Sequence, residues 1–195
     1  IALTRLKLSA NPSTSDQISF TASRTCRSAL PLKFKQQEHT MNFEFSEEQD
    51  LLREQAQGFL QDNSPLSVVR RVLNSDEPYD AVLWQKVSEM GWTATAIPEE
   101  YEGLGLSYLE LSVIAEELGR SLAPIPFSSS VYLATEAILL AGTEEQKSKY
   151  LPKLASGSII GCFAVSETAG HTTPAGIATT GSDGLNGSKV PVADG

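Results

Sequence analysis

The stretch Thr143–Glu167, TEEQKSKYLPKLASGSIIGCFAVSE, decides how this chain is organised. Its first half predicts a helix. Thr143 and Gln146 stand at the capping-box spacing, and Glu144 and Glu145 fall in the first turn, where the helix dipole favours negative charge. Pro152 lies inside the pattern and is expected to bend or interrupt the helix, because its nitrogen donates no hydrogen bond. Gly157 is the expected stop, since it adopts positive φ without steric cost. Ile159–Val165 is apolar without helical spacing and is bounded by glycine and polar residues, which fits a buried strand. The expected strand, Phe163–Ser166, packs beside the last helix, and Cys162 falls in the same buried run.

Upstream, the same start and stop signals recur. Ser46 and Gln49 form a second capping box, and Leu52, Ala56 and Phe59 repeat at helical spacing. Ser64-Pro65 reads as an N-cap followed by proline at the first helical position, with Val68, Val69, Val72 and Leu73 on one apolar side. Asp80 caps a helix through Met90, with Leu83, Val87 and Met90 on one apolar face and Gly91 as its stop. Gly103-Leu104-Gly105 fails the dinucleotide fingerprint, because Tyr108 stands where the third glycine is needed. These glycines shape a turn before the next helix. That helix begins with the capping box Ser107/Glu110, buries Leu111, Ile114, Ala115 and Leu118, and closes at Gly119. Ser128–Ala141 reads as one further helix, apolar all round and buried in a bundle. Residues 168–184 are rich in Gly, Thr, Ala and Ser, and Asn186-Gly187 is a hairpin-turn signal. The fold class is therefore mostly α. A helical bundle domain, residues 41–157, precedes the truncated start of a β-barrel-like domain, residues 158–195.

Charge and cysteine usage narrow the function. Residues 41–195 carry nine Lys/Arg against 22 Asp/Glu, a balance that argues against nucleic-acid binding. No apolar run approaches the ~18 residues of a membrane span. Two cysteines, Cys26 and Cys162, make no disulfide framework, so a reducing compartment is the simpler reading. Residues 1–40 are Ser/Thr-rich and basic, holding six Lys/Arg against two acids. They read as a disordered leader, from translation upstream of Met41 or as a mitochondrial transit peptide. The first reading makes the protein cytoplasmic; the second places it in the mitochondrial matrix.

Three motifs carry a family resemblance. Phe45-Ser46-Glu47-Glu48-Gln49, the run IPEEYEGLGLS at 97–107, and EEQKSKYLPKLASG followed by FAVSE occur in one order and spacing. Together they resemble the N-terminal domain of acyl-CoA dehydrogenases and its junction with the middle domain. The resemblance covers Met41–Gly195.

The residues alone form no catalytic constellation. His39 and His171 lack metal-ligand spacing, and neither a nucleophile elbow nor a P-loop is present. Ser166, Glu167, His171, Thr172 and Thr173 cluster where the expected strand ends, which suits a binding loop. The resemblance implies more. It places Phe163 and Val165 against a FAD ring system, Ser166 in hydrogen bonding to it, and Thr172 near the pyrophosphate and the acyl-CoA thioester. The family's Thr-Glu-Pro reads Ser166-Glu167-Thr168 here. Its second flavin segment, Trp-Ile-Thr-Asn-Gly, reads Pro191-Val192-Ala193-Asp194-Gly195, so an aromatic ring and a hydroxyl are replaced. The implied activity is α,β-dehydrogenation of an acyl-CoA, with hydride passing to FAD and electrons to a transfer acceptor. The family's base is a glutamate of a C-terminal domain, so no catalytic base is named in this chain, which alone is expected to be inactive. Glu167 is the first alternative should it prove active. A flavin monooxygenase or oxidase on the same scaffold, and a non-catalytic partner in a heteromeric dehydrogenase, are the rival readings. A homo- or hetero-oligomer is expected for the whole protein.

Overall fold

The structure, a computed structural model, describes residues 44–167, 176–181 and 184–194. The leader, Thr172 and the rest of the loop after Glu167 lie outside them. Six α-helices form among the described residues: α1 Glu47–Asn63, α2 Leu66–Leu73, α3 Ala81–Glu89, α4 Tyr108–Arg120, α5 Glu136–Ala141 and α6 Glu144–Ala155. Short 3-10 turns at Trp92–Ala94 and Glu99–Tyr101 and a π-helix at Ser128–Thr135 complete the helical part.

All three capping boxes form. Ser46, Ser107 and Thr143 each exchange hydrogen bonds with the residue three places on, which satisfies two otherwise unpaired donors per helix and contributes about 1 kcal/mol each. Two of the boxes are joined, because Gln49 Nε2 donates to Glu110 Oε1 at 2.7 Å. That bond fixes the start of α1 beside the start of α4. Between these helices lies the main core, where Ala56, Leu60, Ile114 and Leu118 meet Trp84, Val87 and Trp92. Phe59 closes on Trp92 edge to face, with centroids 5.3 Å apart.

Helix α6 runs through Pro152 without interruption. An interior proline costs about 3 kcal/mol. Leu151 and Leu154 are both fully buried against Ala94, Ile97 and Tyr101, and each contributes about 2 kcal/mol of apolar burial. Burial outweighs the lost backbone bond. Gly91 and Gly157 end α3 and α6 at φ 77° and 66°, as their positions predict.

The structure corrects other expectations. Ser64 does not cap α2. It closes α1 through its backbone N–H to Leu60 O, and Pro65 occupies the N-cap position without a side-chain bond. Leu73, at the end of α2, and Met90, just after α3, are exposed rather than packed on the apolar faces expected for them. Helix α4 passes Gly119 and ends one residue later, and Leu122 takes the left-handed position at φ 51°. The N–H groups of Leu122 and Ala123 return to Gly119 O and Leu118 O, the bonding of a Schellman cap. Ser128–Ala141 is not one uniform buried helix. Its first half is π-helical and buried at Ser129, Ser130, Val131 and Ala134, whereas α5 buries none of its residues.

No strand forms among the described residues, so the strand expected at Phe163–Ser166 is not present there. Residues 160–166 take no regular secondary structure and join no strand, and the paired position among the described residues is the bridge Thr180↔Asn186. A strand is defined by its neighbour's backbone hydrogen bonds, and here the bond from Val190 N to Ser166 O at 2.7 Å is not continued into a ladder among the described residues. Asn186 pairs with Thr180 instead of occupying the turn centre. Cys162, expected to be buried, is exposed.

Two predictions follow from these helix ends. Leucine in the left-handed region costs about 1–2 kcal/mol, and glycine returns part of that as chain entropy. Leu122→Gly should therefore raise the urea-unfolding free energy by about 0.5–1 kcal/mol; a decrease contradicts the cap. The Glu110 carboxyl is drawn from its ordinary 4.5 to about 2, first by Gln49 and then by Ser107. Its folded value lies below its unfolded one, so ionised Glu110 favours folding. That contribution is complete above about pH 4.5 and is lost as pH falls towards 2. The stability gap between the parent and Glu110→Gln should be constant above about pH 5 and narrow below about pH 4. A gap that stays constant to about pH 2.5 contradicts the assignment.

Candidate functional site

The chain leaves the helical part at a fixed place. Gly157 O accepts from Trp84 Nε1 at 3.0 Å, and Ala155 O accepts from Thr93 Oγ1 at 2.6 Å. These are carbonyls at the end of α6, which have no partners within the helix. Beyond them, Gly161 N donates to Ser130 Oγ at 3.2 Å. Gly161 sits so close to the π-helix that a Cβ would lie 2.5 Å from that of Ala134. The π-helix itself is held by hydroxyls, since Thr135 Oγ1 donates to Ser130 O at 2.9 Å.

Phe163–Ser166 follows directly. The Phe163 side chain is half exposed, Val165 and Ser166 are half-buried, and the backbone of Ser166 is bonded to Val190. Pro191 and Ala193 are exposed, with Val192 half-buried between them. Thus the structure brings together the two segments that the resemblance singles out, Phe163–Ser166 and Pro191–Ala193. Thr172 lies outside the described residues. Phe163, Val190 and Pro191 are each exposed to solvent. Apolar side chains beside backbone polar groups are the residue types that a flat aromatic ring takes up.

Lys189, Thr179 and Ser129, which have no site role in the sequence reading, hold these segments together with Glu167. Lys189 Nζ donates to Val165 O at 3.2 Å and to Glu167 Oε1 at 2.8 Å. Glu167 also accepts the N–H groups of Ala178 and Thr179, at 2.6 and 2.9 Å, and the hydroxyl of Thr179. These donors, Lys189 first, draw its carboxyl down to about 2. A carboxylate so satisfied is a weak proton acceptor, which argues against Glu167 as a base. The far end of the second segment is pinned as well, because Ser129 Oγ bonds to Asp194 Oδ2 at 2.5 Å. Ser129 is almost completely buried, and its small polar side chain in an apolar stretch was the available sequence signal.

An apolar groove of about 470 Å³ runs beside Phe163, lined by Ala134, Ile138, Tyr150, Leu154 and Cys162. Among the described residues no group of three or more His, Cys, Asp or Glu could hold a metal, and no helix is long and apolar enough to cross a membrane.

Residues 46–158, more than half of the chain, match the family model of the acyl-CoA dehydrogenase N-terminal domain. The mitochondrial isovaleryl-CoA dehydrogenase of Arabidopsis thaliana is 35% identical over 125 residues, 63% of this chain and 31% of that protein. A Bacillus anthracis acyl-CoA dehydrogenase solved in complex with FAD superposes with a TM-score of 0.59 at 29% identity, covering 66% of this chain and 22% of that one. The ChsE4-ChsE5 complex of Mycobacterium tuberculosis matches with a TM-score of 0.61 at 26% identity, over 67% of this chain and 36% of that one. The chain spans about a third of the length of the curated relatives it matches. A helical unit ended at Gly157, three capping boxes in register and a family match over residues 46–158 lead to one conclusion: the chain belongs to the acyl-CoA dehydrogenase family.

Proposed function

We propose that this chain supplies the N-terminal domain and the first flavin-facing segments of a FAD-dependent acyl-CoA dehydrogenase. The observation that carries this reading is the joining of Phe163–Ser166 to Val190–Ala193 by the Ser166–Val190 backbone bond. FAD, when bound, supplies the hydride-accepting ring, and the protein supplies position and electrostatics. In this reading Phe163 and Val165 pack on the ring and Ser166 hydrogen-bonds it. Val192 and Ala193 approach through their backbone, Pro191 covers the edge, and Thr172 meets the pyrophosphate and the thioester. The substrate is an acyl-CoA oxidised between its α and β carbons. The electrons pass to a separate acceptor, and the working unit is an oligomer.

No carboxylate among the described residues is assigned the role of base. Glu167 is occupied by Lys189, Thr179 and two backbone N–H groups. The base belongs to the remaining length that the relatives have and this sequence does not supply. A second reading, a non-catalytic partner in a heteromeric dehydrogenase, draws on Pro191 and Ala193. They stand where the family uses an aromatic ring and a hydroxyl, and a lost hydrogen bond to ligand costs about 1 kcal/mol.

FAD titration of the purified 195-residue protein, followed by flavin fluorescence, tests the proposal. Saturable binding is expected, with Kd above about 1 µM because few contacts must offset the association cost. Adding a saturated acyl-CoA should leave the flavin spectrum unbleached. Absence of saturable binding overturns the flavin reading. Bleaching overturns the assignment of the base to another part of the enzyme.

A further inference from the structure

Three passes of backbone meet at one carboxylate. The segments 163–167, 177–180 and 186–190 lie where a sheet was expected, yet no strand ladder forms among the described residues; they are linked by the Thr180↔Asn186 bridge and the Val190-to-Ser166 bond. Glu167 supplies what a ladder would have supplied. Its two oxygens accept two backbone N–H groups, one hydroxyl and one ammonium, close to the four acceptor positions a carboxylate offers. Lys189 spends one proton on Glu167 and another on Val165 O. The two side chains are only 11% and 23% exposed, so water screens this pair less than a surface pair.

The placement is systematic. Glu167 follows Ser166 and Lys189 precedes Val190, so the ion pair sits one residue away from the backbone bond Ser166–Val190 on both segments. It therefore braces the backbone link between the two halves of the candidate flavin site. Without Lys189, Glu167 loses its charged partner and Val165 O loses its donor at the same moment, and truncating one partner of a shielded pair is more disruptive than removing both.

We propose that Glu167 and Lys189 form a positioning pair that sets the separation of the two flavin-facing segments, so that FAD affinity depends on a salt bridge rather than on strand pairing. The dependence of FAD on the pair rests on the proposed function; the bracing of the segments does not.

The test uses the 195-residue protein and three variants, Lys189→Met, Glu167→Gln and Lys189→Arg, with amide hydrogen exchange and FAD titration as readouts. In Lys189→Met and Glu167→Gln, exchange at Ala178, Thr179 and Val190 should accelerate about tenfold or more. Core amides such as Leu60, Val87 and Ile114 should keep the parent rate, because opening is local. Lys189→Arg keeps the charge and should stay within about threefold of the parent. FAD Kd should rise about tenfold in the first two variants and not in the third, following the populated fraction of the competent arrangement. Unchanged exchange at the three amides overturns the pair's role, as does equal acceleration in the core. Accelerated exchange with unchanged Kd overturns the coupling to FAD. If the parent itself fails to bind FAD, the proposed function and the coupling both fall, while the exchange data still decide whether the pair braces the segments.

Discussion

The structure depends on how one helix ends. Two carbonyls at the C-terminus of α6 are held by side chains of other elements, Ala155 O by Thr93 and Gly157 O by Trp84. Leaving a buried carbonyl unpaired costs about 1–3 kcal/mol, so these bonds fix α6 against α3 and the Trp92 turn. Gly157 makes the contact possible. At φ 66° it turns the chain away from the helix, and a Cβ there would lie 2.0 Å from Ser88 Oγ and 2.7 Å from Ser88 Cβ. Ser88 is itself committed, donating to Trp84 O at 2.9 Å. The chain therefore exits in one direction, and the second pressed glycine, Gly161, holds it against the π-helix.

From that junction the candidate site inherits its position. The rigid part is the helical unit, braced at its other end by the Gln49–Glu110 bond between two caps. The segments that follow are held by a few polar contacts, namely Ser130 to Gly161, Ser129 to Asp194 and Glu167 to Lys189. A site built this way has a firm base and an adjustable face. Binding loops on rigid scaffolds commonly divide the work so.

Much of this was legible in the sequence, for local reasons. Capping boxes, Asp80 and the stops at Gly91 and Gly157 are determined within four residues, so Ser46, Ser107 and Thr143 were assigned from spacing alone. What could not be read depends on distant partners. The strand at Phe163–Ser166 was inferred from apolar texture, which does not reveal whether a neighbour supplies hydrogen bonds. Leu122 was passed over because a leucine in the left-handed region violates the preference that marks Gly119. The π-helix hides behind the same composition as an α-helix; its buried hydroxyls, Ser129, Ser130 and Thr135, were the only trace. In the candidate site, Phe163, Ser166 and Pro191–Ala193 came from family resemblance. Lys189 was missed because a lone lysine in a Gly- and Ser-rich tail reads as a solvated charge.

Paired glycine-to-alanine substitutions test the junction most directly. Gly58 lies inside α1 with no atom within 4 Å of an added Cβ, so Gly58→Ala should stabilise by about 0.5–1 kcal/mol through helix propensity. Gly157→Ala places the same methyl at positive φ and into Ser88. It should destabilise by at least about 2 kcal/mol from the left-handed conformation and the displaced contact. Urea unfolding, read through the buried Trp84 and Trp92, gives both values. Opposite signs at the two positions are the result this account predicts; a Gly157→Ala protein as stable as the parent would contradict it.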